Sequence, residues 1–285
     1  MSSPIQITEC PRDAMQGITD FIPTTIKAAY INLLLRVGFD TIDFGSFVSA
    51  KAIPQMQDTT AVLERLDLNN SKSKLLAIIA NYKGAEEAVQ HEQITYLGFP
   101  FSISETFQHR NTNTSIAEAF EIVQRIKALS DNKNKKLLVY LSMGFGNPYG
   151  DEWHNDIVLH WAKRLTDEGI KYISLADTIG IAAPAQIESL YTSLSDNFKE
   201  TTWGVHLHST PDSWRAKVEA AYKSGCKRLD AALKGYGGCP MAKDELTGNI
   251  ATENVISYLQ SQKIDLGLNM NKLQEAMDYL GKVFG

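Results

Sequence analysis

Short β-like runs alternate with longer amphipathic segments along the whole of this 285-residue chain. The eight runs that predict strands are residues 5–8, 41–44, 75–80, 94–97, 136–141, 172–175, 203–208 and 228–231. The segments that predict helices are 24–37, 117–129, 156–168, 185–194 and 213–223, and Gly38, Gly169 and Gly225 act as helix stops before the next strand. This alternation predicts a (β/α)8 barrel of the α/β class. A doubly wound sheet is the alternative, but no GxGxxG pattern follows the first run.

Composition and length set limits on the class of protein. A hydrophobic fraction of 44% and a charged fraction of 21% are typical of globular proteins. The length suits one barrel domain spanning 1–285, and no low-complexity linker divides the chain. A formal net charge of −5 weighs against nucleic acid or an anionic membrane as the main partner.

The cysteines and the first residues of the chain indicate the cellular compartment of the protein. The three cysteines, Cys10, Cys226 and Cys239, form no CxxC pair, which favours a reducing environment over a disulfide framework or a structural zinc site. The first residues show no secretion or transit signal, and no apolar run reaches the ~18 residues of a membrane span. We therefore expect a cytoplasmic protein.

Ionisable and amide side chains recur where the predicted strands end. In a barrel these carboxyl ends open into the loops that carry chemistry. The residues at these positions are Arg12, Asp13, Asp43, Ser46, Asn81, Glu105, Asp177, Thr178, His206 and His208, followed by the glycine-rich segment 235–240. Such a concentration at one end predicts an active site rather than a plain binding scaffold.

The pair His206 and His208 raises the question of a metal. On a strand, side chains two residues apart lie on the same face, so both imidazoles can approach one cation. Alone, the motif is equally compatible with two unrelated histidines. Asp13 offers a third ligand and the side-chain carbonyl of Asn249 a fourth. Two imidazoles, a carboxylate and an amide oxygen suit Mg²⁺ or Mn²⁺ completed by water or substrate.

Seven segments of the sequence, taken together and in their order along the chain, resemble the 3-hydroxy-3-methylglutaryl-CoA lyase family. Its members are metal-dependent carbon–carbon lyases that share a (β/α)8 barrel. The matching segments cover nearly the whole chain. They are Pro-Arg-Asp-Ala-Met-Gln at 11–16, Ser-Phe-Val-Ser at 46–49 with Pro-Gln-Met at 54–56, Ser-Glu-Thr-Phe at 104–107, Ile-Ser-Leu-Ala-Asp-Thr-Ile-Gly at 173–180, Val-His-Leu-His at 205–208, Gly-Tyr-Gly-Gly-Cys-Pro at 235–240 and Gly-Asn-Ile-Ala-Thr-Glu at 248–253.

The resemblance implies an activity, a cofactor and partners. The activity is cleavage of 3-hydroxy-3-methylglutaryl-CoA to acetyl-CoA and acetoacetate, as in leucine degradation and ketone-body formation. The metal ligands would be Asp13, His206, His208 and Asn249, holding a divalent cation that favours the substrate alkoxide. The implied partners are a small acyl-CoA substrate and a second copy of the chain in a homodimer.

The resemblance also implies roles for individual side chains. The catalytic set is Arg12, Asp13, Asp43, His206 and Cys239, and the substrate-binding set is Gln16, Ser46, Asn81, Glu105, Asp177 and Thr178. Arg12 would place its guanidinium on the thioester oxygen, and Cys239 would take part in proton transfer as the glycine-rich loop closes. Asp43 matches a family glutamate and is one methylene shorter.

Three departures from the family pattern lie beside the site. The segment 9–11 is one residue shorter than usual, Ser-Thr-Pro follows His208, and 241–247 carries an apparent insertion. They leave the proposed ligands intact but bear on the substrate. A related aldolase or Claisen-type synthase is therefore the alternative enzyme, and a non-catalytic ligand-binding barrel is the alternative outside enzymes.

Overall fold

Eight parallel strands close into a barrel in the computed structural model, which describes residues 5–238 and 247–285. The strands are β1 (Gln6–Glu9), β2 (Thr41–Ser46), β3 (Lys74–Ile78), β4 (Ile94–Ser102), β5 (Lys136–Ser142), β6 (Tyr172–Asp177), β7 (Thr202–Ser209) and β8 (Arg228–Ala231). Each pairs with its sequence neighbour, and β8 pairs with β1 to close the ring. The predicted (β/α)8 barrel is confirmed.

The helices surround the barrel and connect the strands. They are α1 (Pro11–Gln16), α2 (Thr24–Val37), α3 (Thr59–Leu63), α4 (Tyr82–Ala88), α5 (Glu105–Thr112), α6 (Ile116–Asn132), α7 (Asn155–Asp167), α8 (Pro184–Asn197), α9 (Trp214–Lys223), α10 (Thr252–Ser261) and α11 (Met270–Phe284). A two-residue strand, β9 (Gly248–Asn249), pairs antiparallel with the end of β7. No helix among the described residues is long and apolar enough to cross a membrane.

The predicted helix stops are confirmed, because Gly38, Gly169 and Gly225 all have φ between 75° and 86°. This left-handed region carries a steric cost for residues with a Cβ atom, so glycine ends a helix there most easily. The core that joins the barrel to its helices consists mainly of aliphatic and aromatic side chains. Such packing buries the apolar faces of both layers and supplies most of the stabilisation.

Two differences from the predicted elements affect the site. Strand β4 continues to Ser102 through Pro100, where we predicted an end at residue 97. The residues after β1, predicted as a loop, form the short helix α1, which begins at Pro11. Proline is favoured at a first helical position because its φ is already helical and its missing N–H has no partner there.

Candidate active site

A cavity of about 430 Å³ lies at the carboxyl end of the barrel strands. Several of the predicted site residues form the polar part of its lining, and its other walls are mainly apolar. The polar residues are Arg12, Asp13, Gln16, Arg110, Asn111, Ser142, Thr178, His206 and His208. The apolar walls include Val48, Ile53, Ile78, Pro100, Phe107 and Tyr140. A largely apolar pocket with a few convergent polar groups is the usual form of a small-molecule site.

Two hydrogen bonds fix the orientation of the histidine rings on β7. The Nδ1–H of His208 donates to the backbone carbonyl of Thr178 at 3.0 Å, and Nδ1 of His206 faces a carboxylate oxygen of Asp230 at 3.4 Å. Both Nε2 atoms therefore point toward each other, 3.2 Å apart. Burial lowers the pKa of His208 to about 4, so this ring is neutral. Burial also opposes the charge on His206, but the Asp230 hydrogen bond and the charge of Asp13 raise its pKa overall.

Asp13 and Asn249 complete the same corner of the cavity. Helix α1 presents Asp13 directly after β1, and the pairing of Asn249 with His208 brings β9 beside the histidines. The Asn249 amide nitrogen donates to Asp13 at 2.6 Å. Burial opposes the charge on Asp13, but Arg12 and the two histidines lower its pKa to about 2. The carboxylate is thus fully ionised at neutral pH.

The donor set fits a cation. One ligand atom from each of Asp13, His206 and His208 lies within 4.8 Å of the others. When each Nδ1 carries its proton, the two Nε2 lone pairs face each other, and a cation between them and the carboxylate would satisfy all three groups. Asn249 would contribute its oxygen after a half-turn of its amide, since its nitrogen now faces Asp13.

A second group of potential ligands, Cys10, His206 and Asp230, lies behind the histidine ring. It uses the Nδ1 side of His206, which Asp230 already occupies. Burial raises the pKa of the Cys10 thiol, and its sulfur donates to the backbone carbonyl of Thr8. A protonated thiol is a poor metal ligand, so the Asp13 side is the better cation site.

Arg12 is held by three side chains. Its Nε and Nη2 donate to the carboxylate of Asp43, with the shortest distance 2.6 Å, and its Nη1 donates to Asp13 and Gln16 at 2.9 Å and 2.8 Å. Asp43 therefore reaches Arg12 directly despite its short side chain. Burial outweighs the effect of Arg12 and raises the pKa of Asp43 to about 6. At neutral pH the pair is still ionised.

Asp177 and Thr178 follow β6 and have different environments. Thr178 lines the cavity and holds His208 through its carbonyl. Asp177 lies behind it, where the Nζ of Lys217 donates to its carboxylate at 2.7 Å and to the carbonyls of Gly180 and His208 at 2.8 Å. All three ammonium protons of Lys217 are thus used within the protein, and they tie the loop after β6 to the end of β7. The substrate-binding role of Asp177 stays a prediction.

Replacing Lys217 with methionine tests this buried pair. The change leaves the Asp177 carboxylate buried without its cation, so we expect a loss of about 3–5 kcal/mol in the free energy of unfolding. The double variant Lys217→Met with Asp177→Asn removes both charges and should recover most of the loss. Denaturant unfolding measures both. Lys223→Met, which breaks an exposed pair with Glu219, is the matched control and should stay near wild type.

Ser46, Asn81 and Glu105 do not line the main cavity. Ser46 and Asn81 border a smaller cavity of about 240 Å³, which shares Val48 with the main one. Asn81 caps α4 by accepting from the N–H of Gly84 at 2.8 Å, and the half-exposed Glu105 accepts from the N–H of Ile116 at 3.2 Å. Their substrate-binding roles stay predictions. Cys239 lies outside the described residues.

Sequence reasoning missed Asp230, Lys217 and the structural role of Glu9. Glu9 is fully buried, and the oxygens of its carboxyl group accept from the N–H of Leu233 and the hydroxyl of Thr252. Burial raises the pKa of Glu9 to about 8. An available signal was an acid inside a predicted barrel strand, as with Asp230 in β8, because an acidic side chain that is buried needs a hydrogen-bond or charge partner.

The fold and the site together define a barrel enzyme with a buried histidine–carboxylate centre at the carboxyl end of its strands. An HMGL-like family model matches residues 5–280. Mouse mitochondrial hydroxymethylglutaryl-CoA lyase is 32% identical over 95% of this chain and 82% of its own length. The Bacillus subtilis hydroxymethylglutaryl-CoA lyase YngG is 31% identical over 96% of this chain and 91% of its own length.

A solved structure extends the likeness to three dimensions. The HMG-CoA lyase of Acinetobacter baumannii, in complex with coenzyme A and 3-methylmalate, superposes with a TM-score of 0.91 at 29% identity, covering 99% of this chain and 93% of that one. This chain belongs to the HMGL-like family of carbon–carbon lyases. The resemblance inferred from the sequence motifs is confirmed.

Proposed function

We propose that this protein is a divalent-metal-dependent lyase that cleaves 3-hydroxy-3-methylglutaryl-CoA to acetyl-CoA and acetoacetate, with Mg²⁺ or Mn²⁺ as the cation. One observation carries the proposal: the ligand atoms of Asp13, His206 and His208 converge within 4.8 Å at a cavity that also contains Arg12. The reaction requires stabilisation of charge at two positions, the hydroxyl that loses a proton and the thioester oxygen that gains negative charge. The cation ligands would serve the hydroxyl, and Arg12 would serve the thioester oxygen.

Asp13, His206, His208 and Asn249 would hold the cation, which when bound supplies Lewis acidity that lowers the pKa of a hydroxyl coordinated to it. Loss of that proton allows the C2–C3 bond to break, giving the keto group of acetoacetate and the enolate of acetyl-CoA. Protonation of the enolate carbon completes the reaction. Thr178 and Asp230 position the two imidazoles for this site through their hydrogen bonds to Nδ1.

Arg12 would stabilise the enolate oxygen. Of its five N–H groups, those on Nε and Nη1 and one on Nη2 donate to Asp43, Asp13 and Gln16, which leaves one Nη2 N–H without a partner among the described residues. A charged donor held rigidly by two carboxylates needs little reorganisation when negative charge develops beside it. Gln16 contributes by fixing the Nη1 side of the guanidinium.

The remaining assignments are further parts of the proposal. The coenzyme A in the A. baumannii structure supports an acyl-CoA substrate here, and the smaller cavity beside Ser46 and Asn81 adjoins the main one at Val48. Cys239 is proposed to transfer the proton to the enolate carbon. Glu105 and Asp177 as substrate-binding residues, a homodimer and a cytoplasmic location rest on the reasoning from sequence.

The test of the proposal is a substrate panel with purified protein. With Mg²⁺ or Mn²⁺ we expect release of acetoacetate from 3-hydroxy-3-methylglutaryl-CoA, and loss of activity after EDTA with recovery on adding metal back. Acetoacetate would be quantified enzymatically and acetyl-CoA by chromatography. Turnover of another branched 3-hydroxyacyl-CoA without cleavage of this one would contradict the substrate assignment, and pyruvate-dependent aldol activity would favour the aldolase alternative.

A further inference from the structure

A second cavity, of about 470 Å³, lies at the amino-terminal end of the barrel, opposite the candidate active site. Its lining contains four lysines and two tyrosines on which the argument rests: Lys74, Lys136, Lys199, Lys227, Tyr96 and Tyr172. No aspartate or glutamate belongs to the described lining of this cavity. Its volume is comparable to that of the active-site cavity.

The fold brings these lysines together from distant parts of the sequence. Lys74 begins β3, Lys136 begins β5, and Lys227 directly precedes β8. Lys199 lies in the connection between α8 and β7. Because parallel strands begin at the same end of a barrel, their first residues surround one opening. Like charges collected around a concave surface repel one another unless a counter-charge is present.

No carboxylate in the described part of the chain forms an ion pair with any of these four lysines. Exposed lysines elsewhere do pair, as Lys163 does with Asp167. The Nζ of Lys136 lies near two aromatic rings, 5.6 Å from the ring centroid of Tyr96 and 5.2 Å from that of Tyr172. The lysines thus present a concentrated positive charge although the protein is acidic overall.

Two other charged groups adjoin the cavity. Asp40 borders a smaller neighbouring cavity, and its carboxylate accepts from the N–H of Ile7 at 3.1 Å. Arg228 is only 3% exposed, with its guanidinium 5.8 Å from the Tyr96 ring that lines the cavity. Neither terminal nitrogen of Arg228 has a hydrogen-bond partner in the described residues. The carboxylate of Asp230 interacts with the charge of Arg228, but it also contacts His206 and so is shared between the two. The buried arginine therefore adds to the positive potential behind the lysines.

We propose that this cavity binds a compact anion carrying two linked phosphate groups, either free pyrophosphate or a diphosphate ester. Lysine ammonium groups bind phosphate as point charges without a fixed geometry, and four of them match the charge of a diphosphate better than that of a single carboxylate. The site is independent of the proposed lyase function, because it shares no residue with the active-site cavity.

The experiment is calorimetric titration of the whole protein in EDTA buffer, with inorganic pyrophosphate in one arm and ADP in the other. We expect saturable binding of one pyrophosphate per chain. Lys136→Gln with Lys227→Gln should weaken it about tenfold or more, as expected for losing charged hydrogen bonds at a partly exposed site. Binding of ADP with the same lysine dependence identifies a diphosphate ester, and binding of pyrophosphate alone identifies the free anion.

The control variant Lys223→Gln with Lys282→Gln removes the same two charges from helix surfaces outside the cavity and should bind pyrophosphate like wild type. If the first variant unfolds, Lys74→Gln with Lys199→Gln removes two exposed lysines and should give the same loss. Equal weakening in the control and the cavity variants would overturn the proposal. So would displacement of pyrophosphate by saturating coenzyme A without any effect of the cavity variants, or absence of binding.

Discussion

Asp13→Asn is expected to lower turnover by at least about 10³-fold and to weaken Mn²⁺ binding strongly. The carboxylate is the only anionic member of the ligand set formed with His206 and His208, and metal assistance is worth several kcal/mol of transition-state stabilisation. Asparagine has nearly the same shape and can still contact Asn249 and Arg12. The free energy of unfolding should therefore change much less than the activity does.

The measurements for this variant are acetoacetate release under saturating metal and Mn²⁺ binding followed by electron paramagnetic resonance. Asp196→Asn, at an exposed position on α8, removes the same charge and should leave both unchanged. A variant that loses activity while binding Mn²⁺ as well as wild type would show that Asp13 is not a metal ligand. A variant that keeps its activity would contradict the proposed cation site altogether.

The barrel and the position of its site could be predicted from sequence because both depend on local patterns. Strand–helix alternation determines the barrel, and strand ends determine where polar side chains collect. The two histidines of β7 were predictable as neighbours because strand periodicity requires it. Asp13 and Asn249, 236 residues apart in sequence, could be proposed as ligands from their side chains and their places at strand ends, and the family resemblance then joined all four residues in one site.

Contacts between elements that are distant in sequence could not be predicted from local sequence patterns. Lys217 lies on α9 in an amphipathic segment, where a lysine is normally a solvated surface residue. Its burial depends on Asp177 and on two carbonyls that the fold brings within 2.8 Å. Asp177, at the end of a strand, has the features of a substrate ligand, and its ion pair with Lys217 became visible only in the structure.

Arg12→Lys is expected to lower kcat by about 10²–10³-fold while leaving Mn²⁺ affinity within a few-fold of wild type. Loss of one oriented donor to a developing oxyanion has an effect of this size. A lysine ammonium has three N–H groups, too few to hold Asp43, Asp13 and Gln16 and still donate to the substrate. Its charge still balances Asp43, so the free energy of unfolding should change little.

A second pair of variants separates the charge of Arg12 from its catalytic role. Arg12→Met leaves Asp43 and Asp13 buried together without their cation, and we expect it to destabilise the protein by about 3–5 kcal/mol. Adding Asp43→Asn removes one of these charges and should recover much of the stability but none of the activity. Denaturant unfolding and single-turnover kinetics measure the two effects separately. If activity returned together with stability, Arg12 would be acting only through the fold, because a methionine cannot donate to the thioester oxygen.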